Sequence, residues 1–128
     1  MKQSTATEAE FAGECDVRPL DITIMRSTAQ RTLALGEAPP LAEDLETLTS
    51  RLRGHIQLLL PEVRGLISAQ PATDQPAMAA RVGVEEAHRR LTTTKGFGPD
   101  AAYRHAARLA RSVHALCDHY ETLNPPIR

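Results

Sequence analysis

The segment LAEDLETLTSRLRGHIQLLLPEVRGLISA, residues 41–69, decides the fold. Leu45, Leu48, Leu52, Ile56, Leu59, Val63 and Leu66 recur at steps of three and four, the spacing of one buried face of a long α-helix. Glu43, Asp44 and Glu46 crowd the start, where the helix dipole favours negative charge. Pro61 falls inside the pattern and removes one backbone hydrogen bond, yet Val63, Leu66 and Ile67 keep the period. The spacing therefore predicts a helix kinked near residues 57–61 and not broken there.

The rest of the chain reads as packing for this helix. Asp21 is a good N-cap for a first helix over Ile22–Leu35, with Ile22, Met25, Ala29 and Leu33 inside and Gly36 as the stop. Thr73 or Asp74 caps a third helix from about Pro76 to Leu91, with Ala77, Ala80, Val84, Ala87 and Leu91 inside. Pro99 or Asp100 opens a fourth that ends near Leu123. Its stripe of Ala102, Ala106, Leu109, Val113, Leu116, Tyr120 and Leu123 holds a strict 3.5-residue repeat. That repeat favours shallow crossing angles, and short links make successive helices antiparallel. The expected fold is all-α, an up-and-down four-helix bundle over residues 19–124. Residues 1–18 are expected to be a flexible N-terminal tail, with a short docked segment around Phe11.

Composition agrees. The chain has 128 residues, enough for one domain, and only two Phe, two Tyr and no Trp. Its core must be aliphatic, which suits helices better than a sheet. A net charge of −1 gives no general pull towards nucleic acid or acidic lipid. No apolar run is long enough to span a bilayer and the polar N-terminus lacks a signal peptide's apolar core, so a cytoplasmic protein with two free thiols is expected.

The groups that could carry chemistry are few. Glu85-x-x-His88 has the spacing used in di-iron bundles, but no second copy of the motif exists, Glu85 points away from the inner stripe and His88 lies at its edge. Glu85 then pairs with Arg89 one turn on. His114 and Asp118, with His119 next, should face solvent and supply too few ligands for zinc. His55 sits in the inner stripe beside Leu52 and Ile56, where a hydrogen bond to a hydroxyl or carbonyl is expected; Glu62 is the carboxylate that edges the same stripe. Cys117 reads as a buried, unreactive thiol, because no helix N-terminus activates it. Arg104, Arg108 and Arg111 form a basic stripe that Arg89 and Arg90 could extend. Met78 and Val82 stand one turn apart on the outer side of the third helix. The sequence thus assigns no catalytic, cofactor-binding or metal-ligating residue and calls for no cofactor.

Three segments carry a resemblance: LRGHIQLLLPEV (Leu52–Val63), EEAHRRL (Glu85–Leu91) and RSVHALCDHYETL (Arg111–Leu123). Together, across roughly Leu41–Leu123, they resemble a family of small uncharacterised actinomycete proteins labelled as natural product biosynthesis proteins. The resemblance implies an accessory or regulatory role in secondary metabolism and supplies no catalytic residues. The resulting expectation is a non-catalytic helical interaction or regulatory module. It would bind a protein partner or itself, as a homodimer through the third helix with the fourth helix's basic face free. The alternative is a bundle binding a metal or small molecule around His55, an enzyme included.

Overall fold

The structure, a computed structural model, describes residues 20–36 and 42–124. The N-terminal tail and Phe11 lie outside the described residues. Four helices make up the described chain: α1 (Ile22–Leu33), α2 (Ala42–Ser68), α3 (Gln75–Thr92) and α4 (Gly98–Leu123). No strand occurs among the described residues. The protein is an all-α four-helix bundle.

Local chemistry sets most helix ends. The Asp21 carboxylate accepts from the Ile24 amide at 3.1 Å, and that of Asp74 accepts from the Ala77 amide at 3.0 Å. Each satisfies one amide of the first turn that has no partner within its helix. α1 stops at Leu33, two residues before the expected end, and its last carbonyl accepts a bond of 3.3 Å from the Tyr103 hydroxyl on α4. The Leu35 amide turns back to the Thr32 carbonyl at 3.2 Å, which tightens the final turn. α4 begins one residue before Pro99, at Gly98, whose φ of 89° lies in the left-handed region open to glycine. α2 runs unbroken through Pro61. Pro61 and Gln57 are both exposed, so the carbonyl that loses its amide partner is on the side reached by water.

The bundle is flattened. α4 packs against all three other helices, and its contact with α2 is the most extensive. α1 and α3 flank this central pair, and no contact joins α1 to α3 among the described residues. Leu45, Leu52, Leu59, Val63, Leu109, Val113 and Leu116 are all buried, as the periodicity requires. Alanines share this core: Ala77, Ala80 and Ala87 on α3 and Ala106, Ala107 and Ala110 on α4 are buried. α1 departs from its expected stripe. Thr28 and Thr32 are buried beside Met25 and Ala29, while Ile22 and Leu33 are half-buried. The two hydroxyls can be buried because each donates to a carbonyl one turn back, at 3.1 and 2.9 Å.

Two polar joints tie the flanking helices to α4. Arg26 on α1 reaches Asp118 at 2.8 Å and Glu121 at 2.5 Å. Arg90 on α3 donates through Nη1 to the Arg108 carbonyl at 3.1 Å and to the buried Ser112 hydroxyl at 2.8 Å. Its Nη2 meets Glu86 at 3.2 Å.

Candidate functional site

The histidines come first, because the alternative reading rests on them. His55 is half-buried in α2, and its Nδ1 is buried without a hydrogen-bond partner among the described residues. The bond to a hydroxyl or carbonyl expected from the sequence is not made at this atom. Glu62 faces solvent and does not serve it. Burial, with Arg51 nearby, lowers the His55 pKa and keeps the ring neutral. His105 on α4 is the histidine that sequence reasoning left unassigned. It is buried, and burial with the charges of Arg53, Lys95 and Arg108 lowers its pKa. A strict 3.5-residue stripe has no place for it. A helix touching three neighbours buries a wider arc, and His105 precedes the buried pair Ala106–Ala107.

The other candidates are dispersed. Glu85 and His88 are both exposed. The ion pair expected from Glu85 to Arg89 is not formed among the described residues; the pair one position on, Glu86–Arg90, forms instead, because Arg90 is held at the α3–α4 seam by Ser112. Asp118 is exposed but engaged by Arg26. His114, expected in solvent, is half-buried, and so is His119, whose ring lies over Gly83 of α3. Cys117 is fully buried, and burial first of all pushes its thiol up to about 11, so it carries no thiolate near neutrality. No group of three or more His, Cys, Asp and Glu side chains is placed to hold a metal ion among the described residues.

What remains is a surface. Met78 and Val82 are 46% and 66% exposed on α3, whose inner positions Ala77, Ala80, Val84 and Ala87 are buried. Glu85 and Arg89, also exposed, continue the same outward row at steps of three and four. Beside this row, between α2 and α3, lies a shallow groove open to solvent. Two adjoining depressions form it, of about 470 and 380 Å³, sharing Arg64 and Glu85. Ile67 and Val84 line it, with Arg81, His88 and Arg89 along its length. Arg64, Arg81 and Arg89 form no ion pair among the described residues. Sequence reasoning saw Met78 and Val82 but missed Arg64 and Arg81, because only the α2–α3 pairing brings them together. Of the expected basic stripe, Arg104, Arg108 and Arg111 are exposed on α4, but Arg90 is withdrawn into the α3–α4 seam.

Fold and surface together define an aliphatic four-helix bundle with an exposed apolar pair and a basic groove on its outside. Residues 23–125 match the model of DUF6415, a family of unknown function, and the chain belongs to that family. No curated protein and no solved structure matches the chain. No helix among the described residues is long and apolar enough to cross a membrane.

Proposed function

We propose that the chain is a non-catalytic interaction module that presents the outer face of α3 to a protein partner. The observation that carries this reading is the exposed pair Met78 and Val82 on a helix whose inner positions are already filled. Two large apolar side chains one turn apart, flanked by arginines, have the composition of a contact surface: an apolar centre with a charged margin. Covering them removes apolar area from water at about 25 cal/mol per Å².

A second copy is one occupant for this face, the homodimer read from the sequence. A different protein is the other, and the order of residues favours it. Along the row the apolar pair comes first and Glu85 and Arg89 follow. Antiparallel pairing over the whole row sets Met78 against Arg89 of the second copy, and parallel pairing sets Arg89 against Arg89. Neither is self-complementary. A cytoplasmic setting and an accessory role in secondary metabolism complete the proposal; the latter rests on the resemblance of the three segments alone.

The second reading, a bundle binding a metal or small molecule near His55, draws on the unpartnered Nδ1. Light scattering with Met78→Glu/Val82→Glu decides between a second copy and a different protein as the occupant of α3. Monomers for wild type and variant are expected in the tens of micromolar range. A dimer that both substitutions dissolve would place a second copy on α3.

A further inference from the structure

The chemistry of the missing partner can be read from the groove beside the α3 row. It rests on the interaction reading above and goes on to name the occupant. Three guanidinium groups, from Arg64 on α2 and Arg81 and Arg89 on α3, line a groove whose one carboxylate among the described residues is Glu85. None of the three is neutralised by an acid of this chain among the described residues. Contrast Arg26 and Arg90, which are spent on Asp118, Glu121, Glu86 and Ser112 in holding the bundle together. The groove arginines make no such bonds among the described residues and are exposed, so their charge is accessible to a ligand.

The groove is also not purely polar. Ile67 and Val84 line it, and the exposed Met78 and Val82 stand on α3 three residues before and one residue after its lining residue Arg81. A ligand that matches both parts carries acids on one side and aliphatic side chains on the other. We propose that the α2–α3 groove binds an acidic amphipathic segment of a partner protein, with its carboxylates on Arg64, Arg81 and Arg89 and its apolar residues against Met78 and Val82. Helix-in-groove docking of this kind reads as anchors one turn apart, the spacing of Met78 and Val82 themselves. Arginine suits the role because its planar fork holds a carboxylate through two parallel bonds. Nucleic acid fits less well. Its phosphates could meet the arginines but would leave the apolar pair Met78 and Val82 uncovered.

The test uses the full chain and a fluorescein-labelled helical peptide of leucine and glutamate, followed by anisotropy and by amide chemical shifts. The probe should bind with an affinity that falls as salt rises, and should shift amides around Arg64, Arg81 and Glu85. Arg64→Glu/Arg81→Glu should weaken it roughly tenfold or more while leaving the helical circular dichroism intact. A leucine–lysine peptide and a DNA duplex should not compete. Absence of binding, shifts confined to the Arg104–Arg111 face, or equal binding of the lysine peptide or the duplex would overturn the inference. If binding is lost on Met78→Ser/Val82→Ser yet indifferent to the arginine reversals, the acidic partner is refuted and α3 remains a contact surface.

Discussion

A methyl group placed on Gly83 of α3 would stand 2.9 Å from Nε2 of His119 on α4. The absence of a side chain at Gly83 is therefore what allows the His119 ring to lie against α3. Two effects oppose each other at this glycine. Alanine in a helix interior is favoured over glycine by about 1 kcal/mol, while the new methyl must push the ring aside. The ring edge is the far end of a side chain and can swing, so the cost is modest. Gly83→Ala should change stability little in the native background. It should stabilise by nearly the full helix-propensity difference in a His119→Ala background. Urea midpoints of the four proteins in this cycle give the coupling, and purely additive midpoints would show that ring and glycine do not interact.

The aliphatic core admits a stronger prediction. Leu52 and Leu109 are completely buried on the two central helices. Leu52→Ala or Leu109→Ala should each cost roughly 2–5 kcal/mol through lost transfer energy and the cavity left behind. By contrast Arg26→Ala should cost far less despite its two ion pairs. The carboxylates of Asp118 and Glu121 are 67% and 57% exposed, and such pairs contribute at most about 1 kcal/mol. Thermal denaturation ranks the three variants, and an Arg26→Ala loss as large as either leucine variant's would contradict the ranking.

These variants also mark where the sequence was readable. Leu52 and Leu109 could be assigned to the core at once, because α2 and α4 are long and amphipathic and their period survives even Pro61. Thr28 and Thr32 could not. Their hydroxyls are satisfied by their own helix, a local bond that hydropathy does not register. His105 escaped for a different reason. A 3.5-residue stripe marks one narrow face of α4, whereas the helix packs against three others and buries a wider arc. The outward pair Met78 and Val82 was visible as a break in α3's pattern. The groove was not, since Arg64 and Arg81 are distant in sequence and their juxtaposition exists only after α2 and α3 pair.

Stability should fall as pH drops below neutrality. His55 and His105 both have pKa values lowered in the folded state, by burial first and by Arg51 or by Arg53, Lys95 and Arg108 second. In the unfolded chain they titrate near the ordinary 6.5, so between that value and the lower folded values the unfolded state binds more protons. The associated stability is complete above about pH 6.5 and is lost as pH falls through the folded values. Urea midpoints between about pH 7.5 and 5.5 should decline, and a flat profile would contradict this assignment.

His55 allows a companion test. Leucine continues the inner stripe of α2 and removes the unpartnered Nδ1. His55→Leu should therefore stabilise the protein by about 1 kcal/mol and flatten part of the pH profile. A marked loss of stability would mean that His55 holds a polar contact needed by the fold.

The measurement that bears most directly on the central claim is photo-crosslinking in cells that make the protein natively. p-Benzoylphenylalanine in place of Val82 samples the outer row of α3, and the same residue in place of Arg104 samples the exposed face of α4. The account predicts a discrete adduct with one other protein from position 82, absent from position 104 and diminished by Arg81→Glu. Adducts only between copies of this chain, or the same adduct from both positions, would contradict it.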